Sequence, residues 1–249
     1  MLTSIELQKS IENLESASEI MDVVWHGLRP NDCYGRWDCL TSSLKNVLLA
    51  RLSCIQGDFA DWRGTYERLT YRNYFDVRVL ILEKMFITAK TSADWRFLFT
   101  KSTPIEKRQC QILENLIDAA DNIDDVFFAR ENIGENLILK ERAEQKILKL
   151  CITFELCLQA LKKCGGEQSD FTQKIVRRSD KTIVSFENLC YAKKYHFRNL
   201  FVRALIISKF SKLKTSLENW ITLLNSTSEN CPLRSVIMLR LKESCTQLA

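Results

Sequence analysis

Apolar residues recur along most of the chain at intervals of three and four, the spacing that places side chains on one face of an α-helix. Thr103 and Pro104 mark one helix start, because threonine is a good N-cap and proline suits the first helical position. Between the glycines and prolines that interrupt it, the pattern predicts seven or eight helices, several of about 25 to 35 residues. The first of these has a heptad spacing with one polar member, namely Leu7, Ile11, Leu14, Ser18, Met21, Trp25 and Leu28.

The composition supports a helical fold, since only 7 glycines and 3 prolines occur in 249 residues. β-Proteins and glycine-loop nucleotide folds use these residues in turns and phosphate cradles, so the shortage argues against both classes. The predicted fold class is all-α, with mostly long antiparallel helices that form one or two bundles. No period of about 33 to 47 residues recurs, so a tandem solenoid is not expected.

The pair Gly165-Gly166 is the only double glycine and marks a candidate hinge or boundary. On this basis we expect an N-terminal helical bundle over residues 1–164. A basic helical segment over residues 167–249 would then pack on it, so that the chain forms one structural unit.

Positive charge is concentrated in the last hundred residues. Residues 150–249 contain 16 Lys and Arg against 8 Asp and Glu, whereas residues 1–149 contain 20 against 23. Residues 162–214 alone contain 13 Lys and Arg against 4 Asp and Glu. Such a segment could contact an anionic partner, and the alternative interpretation is an ordinary solvated helix surface.

On one continuous penultimate helix, four basic side chains of this segment would share a face. Reversing their charges should leave the fold intact, because exposed charges add little to stability. The candidate contacts for an anionic partner are these four and two neighbours: Lys194, Arg198, Lys209, Lys212, Arg177 and Arg178.

No motif predicts a catalytic, cofactor or metal site. The sequence has no G-x-G-x-x-G, P-loop or C-x-x-C motif, and its two histidines, His26 and His196, have no metal-binding spacing. Asp118, Asp121 and Asp125 would share one face of a continuous helix, as the Mg²⁺-binding aspartates of all-α prenyl-transfer enzymes do. Their order departs from the D-D-x-x-D of those enzymes, and a solvated face is the alternative. That enzyme class is the third function considered.

Glu155 interrupts an apolar run and is predicted to be a buried carboxylate with an Arg or Lys partner, or else a functional acid. The N-terminus has no apolar signal-peptide core, and no stretch has 18 apolar residues. The ten cysteines are expected to be reduced. A cytoplasmic location is therefore expected, with a nuclear or peripheral-membrane location as alternatives.

The leading functional hypothesis is a non-catalytic adaptor or scaffold that binds other proteins and can also self-associate. Long antiparallel helices resemble, in architecture alone, the vinculin and α-catenin type of cytoskeletal adaptor, which would imply an association with the cytoskeleton or with adhesion sites. The alternative is binding of nucleic acid or an anionic membrane through residues 162–214.

Overall fold

The computed structural model describes residues 4–27, 40–69, 75–102, 106–165 and 169–246. Of these residues, 79% are helical and none lies in a strand, which confirms the all-α fold of packed helices. The described part of the chain contains fifteen helices of 9 to 14 residues, so the expectation of seven or eight long helices is wrong. The predicted helix start at Thr103 and Pro104 lies outside the described residues.

The chain divides into two compact units, Met1–Ala119 and Ala120–Ala249. The first unit contains α1 (Ser4–Glu12), α2 (Ala17–Gly27), α3 (Ser42–Cys54), α4 (Phe59–Leu69), α5 (Phe75–Thr88), α6 (Ser92–Lys101) and α7 (Glu106–Ala119). The second unit contains α8 (Ile123–Asn132), α9 (Leu137–Leu150), α10 (Phe154–Lys163), α11 (Asp170–Asp180), α12 (Phe186–His196), α13 (Leu200–Lys212), α14 (Leu217–Asn225) and α15 (Leu233–Thr246).

Side-chain caps explain why the helices are short. Ser16 and Glu19 exchange hydrogen bonds at the start of α2, which splits the predicted heptad helix into α1 and α2. Asn199 likewise accepts hydrogen bonds from the backbone N–H groups of Phe201 and Val202. Ser, Thr and Asn satisfy the free N–H groups of a helix start without glycine or proline. Scarcity of those two residues therefore did not mean scarcity of helix ends.

The first unit is built from pairwise helix packing. The pairs α4 with α5 and α6 with α7 form hairpins, α2 packs on α4, and α3 packs between α1 and α5. The guanidinium of Arg51 in α3 donates to the backbone carbonyl of Leu14 at a distance of 2.9 Å from Nε. This contact ties α3 to the turn between α1 and α2.

The second unit is a stack of four helix hairpins, α8–α9, α10–α11, α12–α13 and α14–α15. Contacting helices that are joined by such short connections run antiparallel. The first helices α8, α10 and α12 pack in a row, and so do the second helices α9, α11, α13 and α15. In helical-repeat proteins, too, corresponding helices of successive hairpins pack against each other. The expectation that no tandem solenoid occurs is therefore wrong for this unit.

The hairpins share a register that runs through both units. Their first helices begin after cap residues spaced 31 to 33 residues apart: Asp58, Thr91, Asn122, Thr153, Ser185 and Ser216. The fourth residue after each cap is buried: Trp62, Trp95, Val126, Cys157, Leu189 and Trp220. The seventh is also buried: Thr65, Leu98, Ala129, Ala160, Ala192 and Leu223. The repeat thus lies in cap chemistry and burial, and the residue types vary.

Gly165 follows α10 inside the second unit and has a φ of +65°, a left-handed conformation that glycine adopts without strain. It therefore ends a helix within a hairpin. Gly166, the other half of the candidate hinge, lies outside the described residues. The chain divides into its two compact units after Ala119, so the boundary expected between residues 164 and 167 lies inside the second unit.

Candidate functional site

Two exposed tyrosines stand on α12 in the second unit. Leu189 and Ala192 face the core, so the opposite side of this helix presents Tyr191 and Tyr195, which are 60% and 56% exposed. Their ring centroids lie 4.5 Å apart, and Lys194 Nζ lies 5.0 Å from the centroid of Tyr195. The result is a wide aromatic surface with a cation over one end.

A cleft of about 270 Å³ lies beside these rings, between the first helices α10 and α12. From α10 it is lined by Phe154, Glu155, Leu158, Gln159 and Lys162. From α12 it is lined by Asn188, Tyr191 and His196. Its floor is apolar, because Phe154 and Leu158 are buried, while its rim offers a carboxylate, two amides, an ammonium group and an imidazole.

Charge is unevenly distributed around this cleft. The Glu155 carboxylate accepts a hydrogen bond from the Asn188 side-chain amide across the two helices. At the other end, burial and then the nearby Lys162 ammonium lower the pKa of His196 below its usual value. The cleft therefore has an anionic end that is held by a neutral amide and a cationic end that has no carboxylate lining it.

The six sequence-predicted contacts do not form one surface. The predicted penultimate helix is interrupted at residues 197–199, between α12 and α13, so the shared face on one continuous helix was a wrong prediction. Lys194 is exposed on α12, and Arg198 is exposed in the connection. Only these two of the four proposed face residues lie near the tyrosine pair in the chain.

The other two face residues are engaged in the fold. Lys209 is 8% exposed, and its ammonium group donates to the carbonyl oxygens of Asp180 and Thr182, at 2.8 Å each. Burial lowers its pKa. Lys212 forms an ion pair of 2.8 Å with Asp180, whose pKa is lowered by that hydrogen bond. Lys209 is therefore a structural lysine.

Arg177 and Arg178 lie on α11, a second helix of its hairpin. Arg177 lines a shallow surface cleft of about 570 Å³ between α11 and α13, together with Lys181 and Asp180. Arg178 Nε donates to the backbone carbonyl of Cys151 at 3.3 Å. Both arginines are exposed. Their neighbours are residues of α13 and the carbonyl of Cys151, and not the tyrosine pair.

Two further expectations change. Glu155 is exposed, because Thr153 caps a new helix there and leaves the carboxylate in the first turn of α10; the predicted buried ion pair was wrong. Asp118 and Asp125 do not share a continuous helix, since α7 ends at Ala119 and α8 begins at Ile123. In the described part of the chain, no group of three His, Cys, Asp or Glu side chains is placed to hold a metal ion.

Sequence reasoning missed the tyrosine pair and its cleft. The regular spacing of the cap residues could have revealed them. Once Ser185 is identified as a cap, the fourth and seventh residues after it are expected in the core, and Tyr191 then lies on the opposite side of the helix. The side chain of the other histidine, His26, lies outside the described part of the structure. We find no helix in the described ranges that is long and apolar enough to cross a membrane.

Comparisons with known protein families, with curated proteins and with solved structures find nothing that matches this chain.

Proposed function

We propose that this chain is a non-catalytic interaction protein that binds another protein on α10 and α12. The observation that carries the proposal is the exposed pair Tyr191 and Tyr195 beside a cleft with an apolar floor. Tyrosine is enriched in interfaces because its ring gives a large contact area while its hydroxyl stays hydrogen-bonded. Stacked hairpins suit this role, since they hold such side chains on rigid neighbouring helices.

Binding of nucleic acid or an anionic membrane is the second proposal, and one observation favours it. Lys162, Lys194 and Arg198 have no carboxylate partner among the described residues, and they lie close in the chain to the aromatic pair or line its cleft. Aromatic rings with cations between them bind single-stranded nucleic acid. Glu155, on the rim of the same cleft, would repel phosphate groups and makes a protein partner the better supported choice.

The proposal places the protein in the cytoplasm. The eight described cysteines are free thiols, a state that persists in reducing compartments. A cytoskeletal role is left out of the proposal, because the analogy with vinculin-type adaptors relied on long helices and the described helices have 9 to 14 residues.

Site-specific photo-crosslinking tests the proposal. The full chain carries p-benzoylphenylalanine in place of Tyr191, and a matched control carries it in place of Ile138, which is 83% exposed on the second helix α9. We expect a discrete protease-sensitive adduct in cell extract at position 191 and none at position 138. Adducts that nuclease removes would favour the second proposal, and equal labelling at both positions would refute a specific surface.

A further inference from the structure

The cleft between α10 and α12 pairs an apolar floor with one lysine that has no ion-pair partner among the described residues. Phe154 and Leu158 are 1% and 5% exposed and form the floor. Lys162 is exposed at one end. Its neighbour Lys163 differs, because it forms an ion pair of 2.8 Å with Asp124. Lys162 is thus the cation of this helix end that stays available to a ligand.

The cleft is polarised along α10. Glu155 and Lys162 are seven residues apart, which corresponds to about 10 Å along a helix axis. Burial lowers the pKa of His196, and the nearby Lys162 ammonium group lowers it further. Lys194 and Arg198, near the end of α12, are exposed and have no described carboxylate partner, but they do not line the cleft. A ligand with negative charge at this end and an apolar group beside it would match the cleft.

The volume fits side chains of a peptide. Pockets for drug-sized molecules and cofactors measure about 300 to 1,000 Å³, and this cleft measures about 270 Å³. One or two apolar side chains would fill this volume and cover the exposed ring of Tyr191. A phosphate backbone carries charge along its whole length and would bring it to the Glu155 carboxylate, whereas a peptide can carry its negative charge at the Lys162 end alone.

We propose that this cleft binds an acidic segment of a partner protein, with one apolar side chain against the exposed ring of Tyr191 and an adjacent carboxylate facing Lys162. The inference rests on the proposed function, because it gives the chemistry of the partner that the same surface binds. Tyr191 forms the wall against which the bound segment packs. The ion pair adds mainly specificity, and the covered ring of Tyr191, which is 60% exposed in the free protein, adds affinity.

The test uses the full chain and a fluorescein-labelled peptide, Gly-Ser-Gly-Ser-Leu-Phe-Asp-Asp-Gly-Ser, whose carboxylates lie on one side of the apolar pair so that none has to approach Glu155. We expect saturable binding by fluorescence anisotropy, weakened about tenfold or more by Lys162→Glu, which corresponds to about 1.4 kcal/mol or more. Lys174→Glu is the matched control, since Lys174 is exposed on α11 away from the cleft. Peptides with lysine in place of each aspartate, or with Ser-Ser in place of Leu-Phe, should bind at least tenfold more weakly than the parent peptide.

His196 gives a second readout that does not depend on peptide affinity. In the free protein, Lys162→Gln should raise the pKa of His196, measured by NMR of its imidazole protons, because it removes a nearby positive charge. Saturating peptide should raise that pKa in the unmodified chain, because a carboxylate then lies close. Circular dichroism of each variant verifies that the helices are intact.

Several outcomes overturn the inference. These are binding that is insensitive to Lys162→Glu, equal binding of the lysine peptide, or displacement of the acidic peptide by a twelve-residue oligothymidylate with the same sensitivity to Lys162. A protein adduct at position 191 without acidic-peptide binding would overturn this inference alone. Absence of any position-specific protein adduct would overturn the proposed function itself.

Discussion

Individual lysines of the second unit differ in whether the fold already engages their ammonium group. On the second-helix side, Lys209 is buried and donates to two backbone carbonyls, and Lys212 pairs with Asp180. On the first-helix side, Lys162 and Lys194 are exposed and lack a described carboxylate partner. Charge density along the chain therefore does not locate a binding surface; the available lysines are those that the fold does not already use.

The engaged lysine has a definite structural task. Asp180 is the last residue of α11, and its carbonyl is one of those that a helix end leaves without an internal partner. Lys209 reaches from α13 to this carbonyl and to that of Thr182. A cation at the negative end of a helix is also favoured by the helix dipole. These two hydrogen bonds therefore offset the free-energy cost of burying the ammonium group.

Removing the Lys209 ammonium should give the largest effect on stability. Lys209→Met keeps the apolar stem but leaves the carbonyls of Asp180 and Thr182 without their donor, so we expect a loss of about 2 to 4 kcal/mol in the free energy of unfolding. The matched variant Lys194→Met should change it by less than about 0.5 kcal/mol, since Lys194 is exposed. Urea denaturation followed by circular dichroism measures both.

Charge reversal sharpens the same contrast. Lys194→Glu with Arg198→Glu should leave the fold intact, whereas adding Lys209→Glu would bury a carboxylate against two carbonyl oxygens and unfold much of the second unit. The sequence-based expectation that all four reversals are tolerated assumed exposed charges, and Lys209 is only 8% exposed. Equal denaturation midpoints for Lys209→Met and Lys194→Met would show that the buried lysine contributes no more to stability than the exposed one.

The fold class was predictable from the sequence, but the helix ends were not. Scarce glycine and proline excluded sheets and gave the all-α class correctly. The interruption at Asn199 carries neither residue, and it became visible only through a side chain that accepts from two backbone N–H groups. Caps of this kind also occur on surfaces and in turns, so a single Ser, Thr or Asn does not mark a helix start. The regular spacing of such residues would have done so.

The candidate site was predictable only in part. The basic character of residues 162–214 was evident, and Lys194 and Arg198 are exposed there. Which lysines are buried depends on how α11 and α13 pack, since Lys209 meets carbonyls 27 and 29 residues away. The cleft depends on the stacking of α10 on α12 in the same way. Long-range packing of this sort leaves no local pattern in one sequence.

An intermediate effect is expected at the cap that orients the cleft. The Ser185 hydroxyl accepts from the backbone N–H of Asn188, whose side chain holds Glu155. Ser185→Ala should cost about 1 kcal/mol in the free energy of unfolding, and Ser185→Asp should restore most of it because aspartate also caps. Urea denaturation gives both values. A cost for Ser185→Asp as large as that for Ser185→Ala would argue against the cap as the cause.

The smallest effect is expected at the Lys212–Asp180 ion pair. Its side chains are 60% and 40% exposed, so Lys212→Ala should cost less than about 0.5 kcal/mol, and less still at high salt. The hydrogen bond from Lys212 lowers the pKa of Asp180 below its usual value, so the unfolded chain binds that proton more tightly. The contribution is therefore present above about pH 4 and is lost as the pH falls through the folded-state value. NMR titration of the Asp180 carboxyl should show its pKa rising in Lys212→Ala. A cost above about 1 kcal/mol that persists below pH 3 would mean that Lys212, like Lys209, stabilises the fold through something other than its charge.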